Sequence, residues 1–192
     1  MRRIKRMSRT AHGVLCALLL VLLPFLLWAA LEFPAFTPAQ GHRWQERREL
    51  CGPSEIFDRF STGFGVCHVA GAAEDTLYFS SFTQLPRVRG LWEPFGALET
   101  RPRPEGDGAV LVPMLRLTGD PLWIYVTSRP SAVRAEAELL CGDAFVGASS
   151  ADFCGDFIRL RFPGGIESPD SVRVRLYAAD GALLCAYTAP VA

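Results

Sequence analysis

Three stretches in the second half of the chain alternate strictly between apolar and polar residues. Val133, Ala135, Ala137 and Leu139 alternate with Arg134, Glu136 and Glu138; Ile158, Leu160 and Phe162 with Arg159 and Arg161; Val172, Val174 and Leu176 with Arg173 and Arg175. A period of two is that of an extended strand, whose successive side chains point to opposite faces, so each stretch predicts a strand with one face in a core and one in water. Two apolar runs, Val110 to Leu117 and Leu122 to Thr127, are separated by Thr118-Gly119-Asp120-Pro121, the punctuation of a hairpin. A last run, Leu183 to Thr188, follows the turn Ala179-Asp180-Gly181. An antiparallel sheet is the economical fold for residues 109–192.

Upstream, Thr76 to Phe82 concentrates aromatic and β-favouring residues and predicts another strand. Gly63-Phe64-Gly65 reads as a turn, because no phosphate-binding helix follows it. Leu91 to Leu98 is compatible with one or two turns of helix. Composition changes once, at Thr100 to Gly108, TRPRPEGDG, which reads as a linker. The expected organisation is therefore a leader over residues 1–41, a small domain over 42–99, the linker 100–108 and a β domain over 109–192, in a mainly β (α+β) chain.

The leader is defined by Arg2, Arg3, Lys5, Arg6 and Arg9, followed by an apolar run from Val14 to Leu31 that no charge interrupts. That order is the n-region and h-region of a secretory signal. A signal anchor with a cytoplasmic N-terminus is the competing reading, since a run of this length reaches the lower limit for spanning a bilayer. The small-x-small pattern at Ala39 and Gly41 would release a chain beginning at His42. Without the leader the chain carries 15 basic and 19 acidic side chains, and a weakly acidic body excludes nucleic acid as the natural partner. The sequence contains no asparagine, hence no acceptor for an N-linked glycan.

Five cysteines follow the leader: Cys51, Cys67, Cys141, Cys154 and Cys185. In an oxidising compartment an odd number leaves one thiol free or bonded to another chain. Their spacings match no standard zinc module, and there is no CxxC, HExxH or G-x-S-x-G. His42 and His68 are the histidines beyond the leader. Adjacent strand residues face opposite ways, so Cys67 and His68 make a poor nucleophile and base. No catalytic, cofactor or metal site is expected. The interface candidates are Trp92, in the turn-rich Arg89-Gly90-Leu91-Trp92-Glu93-Pro94, and Arg159, Arg161, Arg173 and Arg175. If the 157–162 and 172–178 strands are neighbours, these four arginines share one face, opposed by Glu136 and Glu138. That face is either solvated or a docking surface for an acidic partner.

The block LCGPSEIFDRFSTGFGVCHVAGAAEDTLYFSSF, Leu50 to Phe82, and the block SVRVRLYAADGALLCAYTAPVA, Ser171 to Ala192, resemble the chemokine-like accessory subunits of the cytomegalovirus pentameric complex of glycoproteins H and L. The likeness covers about a third of the chain. It implies a small chemokine-like N-terminal domain followed by an antiparallel β-sheet domain. It further implies a non-enzymatic secreted subunit, assembled with glycoproteins H and L and two other small accessory subunits, and held on the virion envelope through those partners. Such a complex binds a host cell-surface receptor and directs infection of epithelial- and endothelial-type cells. The resemblance implies that Cys51 and Cys67 staple the first domain and that Cys141 and Cys185 match the cysteines of the second. Cys154 is then left unpaired or intermolecular. A freely secreted chemokine mimic or immune decoy is the alternative, and an exported membrane-anchored enzyme a more remote one.

Overall fold

A computed structural model describes residues 9–30, 34–62, 65–86, 88–112, 121–152, 155–166 and 169–191. The chain is mainly β and its strands pair antiparallel. Helix α1 (Arg9–Ala30) precedes α2 (Pro38–Arg48), and twelve strands follow among the described residues. These are β1 (Glu55–Ser61), β2 (Val66–Ala72), β3 (Thr76–Gln84), β4 (Trp92–Pro94), β5 (Glu99–Pro102), β6 (Ala109–Leu111), β7 (Leu122–Thr127), β8 (Arg134–Cys141), β9 (Ala144–Asp152), β10 (Phe157–Phe162), β11 (Ser171–Tyr177) and β12 (Leu183–Pro190).

They form three stacked sheets. The first has the order β1-β2-β3-β4, with β5 also on β3; the second is β10-β7-β6; the third is β12-β11-β8-β9. Both faces of the middle sheet pack against another sheet. Its even-numbered residues Leu122, Ile124, Val126, Ile158, Leu160 and Phe162 pack with Ala135, Ala137, Leu139, Val172, Val174 and Leu176 of the third sheet. Its odd-numbered residues Tyr125 and Phe157 pack with Phe60, Ala70, Leu77 and Phe79 of the first. Burying each aliphatic side chain contributes about 1.5–3 kcal/mol, so the two cores together commit all three sheets to one body.

The N-terminal sheet is also covered on its far face, by α2, and β2 is accordingly buried from Val66 to Gly71. Helix α2 begins where chemistry favours it. The Thr37 hydroxyl accepts the Gln40 N–H at 3.1 Å, Pro38 occupies the first turn, and Arg47 and Arg48 lie in the last. Gly41 is pressed so closely on the Phe82 ring that a Cβ there would collide with it. Just before the helix, Ala35 exchanges two backbone hydrogen bonds of 2.7 Å with Trp92. Residues 35–41 are thus built into the fold, and the cleavage expected after Gly41 would cut through α2.

Helix α1 exposes Val14, Leu20, Val21 and its other described apolar side chains, while Trp28 at its end reaches the body, stacking edge-on against Trp44 at 5.7 Å. No helix among the described residues is long and apolar enough to cross a membrane.

Three expectations change. Residues 91–98 contain the short strand β4 instead of helical turns, because Trp92 to Pro94 pairs with β3. The linker begins later, since residues 99–102 are β5 on β3. The strands β10 and β11 are not neighbours: they belong to different sheets and meet only through their apolar faces. The 113–117 end of the expected 110–117 strand, with residues 118–120 of the expected turn, lies outside the described residues; β6 does pair with β7, as the hairpin reading requires.

Candidate functional site

The functional candidates group into four places. The first is the seam between the N-terminal and middle sheets. A bulge in β1 between Ile56 and Asp58 inserts an extra residue, and such a bulge re-aims side chains. Here it directs Phe57 and Asp58 to the same side. Phe57 meets the Tyr125 ring at 5.1 Å and the Phe157 ring at 5.0 Å. One Asp58 oxygen accepts the Tyr125 hydroxyl at 2.7 Å and an Arg159 N–H at 2.6 Å. The Arg159 guanidinium also lies over Phe60 at 4.2 Å and Trp123 at 5.3 Å. Burial, then the neighbouring Asp58 carboxylate, pushes the Tyr125 phenol far up, so it stays a hydrogen-bond donor.

His68 sits at the edge of this seam. It stacks on Phe60 at 4.9 Å, and its Nδ1 lies 2.8 Å from the Ser81 hydroxyl. Burial, reinforced by the Arg159 charge, lowers its pKa to about 4.

The second place lies between α2 and the other face of the same sheet. His42, fully buried, has Nδ1 at 2.6 Å from Ser80 Oγ, and its Nε2 at 3.2 Å from Ser54 Oγ and 3.3 Å from a Glu46 oxygen. Glu46 in turn accepts the Ser54 backbone N–H and an Arg43 N–H, each at 2.9 Å. Burial lowers the His42 pKa against the pull of Glu46. Burial pushes the Glu46 carboxyl up, but the Ser54 and Arg43 hydrogen bonds outweigh it and hold the group below its ordinary value. A serine, a histidine and a carboxylate in contact are the parts of a nucleophile relay. They have no room for a substrate here: Gly71 faces them so closely that a Cβ would lie 2.8 Å from His42 Nε2. The cluster is a polar clasp that fastens α2 to the sheet.

The third place is a cleft of about 350 Å³ where α1 and α2 meet the sheet, lined by Trp28, Trp44, Gln45, Arg48, Phe82 and Trp92 among others. Trp92, expected at a surface, is half-buried in this wall. The fourth is the outer face of the third sheet. Arg173 stands opposite Glu138 and Arg175 opposite Glu136, and Glu138 takes an N–H from each arginine at 3.1 Å. Glu136 accepts the Tyr177 hydroxyl at 3.1 Å. The acids therefore oppose the arginines as expected, and the exposed pairs are worth little to stability.

The four candidate arginines do not share a face. Arg173 and Arg175 look outward from the third sheet. Arg159 points from the middle sheet into the seam with the first, whereas Arg161 is exposed and lies 5.6 Å over Trp123, its cross-strand neighbour in the middle sheet. The cause is the extra layer: a face that alternation marks as polar is here covered by a second sheet.

Cys51, Cys67 and Cys185 carry thiols, and the strand registers keep the implied partners apart. Cys67 pairs with Ser61 at one end of the β1-β2 ladder, whereas Cys51 lies beyond Glu55 at the other. Five residues of strand separate those levels, about 17 Å, against the roughly 7 Å limit for a disulfide. Cys185 stands level with Leu176 and Ala135, while Cys141 ends β8 beyond the Leu140–Ser171 pair. That separation is also too long for a bridge. Burial pushes the Cys67 thiol up, which makes it a poor nucleophile. Cys154 lies outside the described residues.

Sequence reasoning missed the His42 clasp and the Asp58 seam. His42 and Glu46 are four residues apart behind a Thr-Pro helix start, a legible signal; the bulge that aims Asp58 leaves no comparable mark. No protein-family model, no curated protein and no solved structure matches the chain.

Proposed function

We propose that the chain is a non-enzymatic, exported subunit of a viral envelope assembly built on glycoproteins H and L with two other small accessory subunits. In this reading the assembly binds a host cell-surface receptor and directs infection of epithelial- and endothelial-type cells. The subunit is held at the virion surface by its partners and needs no cofactor. Its N-terminal half, the β1-β2-β3 meander with α2 across one face, is the chemokine-like domain, and residues 109–192 are the β domain.

The observation that carries the reading is where the two resembling blocks fall. Leu50 to Phe82 coincides with the β1-β2-β3 meander, and Ser171 to Ala192 with the β11-β12 hairpin. Each block is thus a continuous piece of framework in its own half, joined by its own ladder. Scattered coincidences of sequence have no reason to fall on complete hairpins.

Co-expression with glycoproteins H and L tests it. The expected result is a complex that co-purifies through a tag on glycoprotein H and is secreted only when the subunits are made together. Secretion of this chain alone, without co-purification under any combination of partners, would refute the proposal.

A further inference from the structure

The strands at the edges of the three sheets differ in how they are protected. An unpaired strand edge offers a row of N–H and C=O groups to any other chain, and folded proteins blunt such edges with charges, bulges, shortness or a cover. The edge strand β1 carries Glu55, Asp58 and Arg59 and the bulge at Ile56/Asp58. Strands β4, β5 and β6 have three, four and three residues. Strand β9 ends in Asp152 and has a register shift opposite Leu139/Leu140. Strand β10 carries Arg159 and Arg161, and its Arg161 N–H is taken by Ser149 Oγ of β9 at 3.2 Å.

Strand β12 itself carries none of these defences along its length, although the Arg129–Asp107 pair reaches Cys185 and Tyr187 from the neighbouring loops. It runs eight residues, Leu183–Pro190, pairs with β11 alone among the described strands, and contains no charged residue. Its single irregularity lies at its start, opposite Leu176/Tyr177, and its one proline is the last residue. Leu183 and Leu184 are 55% and 41% exposed. The edge is also held in place from beneath, since the Tyr187 hydroxyl donates to the Thr127 carbonyl at 2.7 Å. Val191 then bridges to Ala109. A long, flat, uncharged edge fixed to a rigid body is preorganised to accept one more strand.

We propose that β12 is a self-association edge, on which the β12 strand of a second copy of this chain pairs antiparallel about a two-fold axis to join two four-stranded sheets into one of eight. A second copy fits because the strand is self-complementary. Antiparallel self-pairing sets no like charges opposite each other on β12, covers the exposed leucines of both copies, and satisfies the free main-chain groups of both with the same ladder. The charges beside the strand are paired within each copy: Arg173 and Arg175 on β11 with Glu138, and Arg129, which reaches Cys185, with Asp107. The proposal does not depend on the viral reading, because it concerns this chain alone.

The test is the mass of the full chain by light scattering at high micromolar concentration, in detergent so that α1 is covered. The wild type is expected as a dimer. Ala186→Lys and Thr188→Lys, at exposed positions of β12, are expected to weaken association about tenfold or more by setting lysines near each other across the axis. Ala148→Lys, exposed on the β9 edge, is expected to leave the dimer intact, and unchanged circular dichroism shows that each variant folds. A monomeric wild type overturns the proposal. So do lysine variants on β12 that dimerise as the wild type does, or an Ala148→Lys variant that loses the dimer as well.

Discussion

Acidification is expected to destabilise this fold through His68. The ring is 6% exposed, and its Nε2 is buried without a hydrogen-bond partner among the described residues. The groups that face it are the Phe60 ring, the Ser81 hydroxyl and the Arg159 guanidinium; none is an anion, and burial together with the Arg159 charge disfavours an imidazolium. Its pKa falls from 6.5 in the unfolded chain to about 4 in the fold. The unfolded state therefore takes the proton first. Stability from this group is fully present above about pH 6.5, declines as the pH drops below it, and stops declining below about 4. The whole gap corresponds to about 3 kcal/mol, of which about 2 kcal/mol is lost between pH 7 and pH 5. His42, also lowered, adds a loss of the same sign. Glu46, held below its ordinary 4.5, contributes stability that is lost only at lower pH, so a limit of pH 5 keeps it out of the measurement. Urea unfolding at the two pH values, compared between wild type and His68→Gln, isolates the ring. The variant is expected to lose about 2 kcal/mol less than the wild type on acidification, the share that linkage assigns to this one ring. An equal loss in both proteins, or an NMR titration that puts His68 at 6.5 or above, would refute the reasoning.

Two further outcomes follow from the seam and the N-terminal segment. Asp58→Ala leaves the Tyr125 hydroxyl and the Arg159 guanidinium without their shared acceptor, and is expected to cost about 3 kcal/mol, read from denaturant midpoints, with Asp58→Asn losing less. A chain that begins at His42 lacks the Thr37 cap, worth about 1 kcal/mol, and both Ala35–Trp92 hydrogen bonds, worth about 1 kcal/mol each. It is expected to be about 3 kcal/mol less stable than one beginning at Pro34. N-terminal sequencing of the exported protein is accordingly expected to find no terminus at His42.

Strands β8 and β11 of the third sheet were legible in the sequence because each has a dry face and a wet one, whereas β9 was not read as a strand. Val172, Val174 and Leu176 and their partners Leu139, Ala137 and Ala135 show the alternation at full contrast. Strand β2 was not legible, for the opposite reason: VCHVAGA is buried on both faces, so its two halves carry no contrast, and histidine and glycine occupy dry positions. Helix α2 was overlooked because its composition is polar and its buried face consists of Gly41, His42, Gln45 and Glu46. Those residues bury through hydrogen bonds, which hydrophobic periodicity does not register.

The candidate site shows the deeper limit. Alternation along β10 separates Ile158, Leu160 and Phe162 from Phe157, Arg159 and Arg161, and it correctly reports two unlike environments. It does not report that the second environment is water. Arginine suits a protein seam as well as a surface, because its planar, weakly hydrated guanidinium can stack on rings while it donates to a carboxylate. Arg159 does both, over Phe60 and onto Asp58. The sign that distinguishes the cases lies outside the strand, in the aromatic residues Phe57, Phe60 and Trp123 that supply the rings. Arginines on a strand face are candidates for docking only when no such set of aromatic residues is free to cover them. By that criterion Arg173 and Arg175 remain at the surface, Arg159 joins two layers of one molecule, and Arg161, exposed beside Trp123, lies at the rim of that seam.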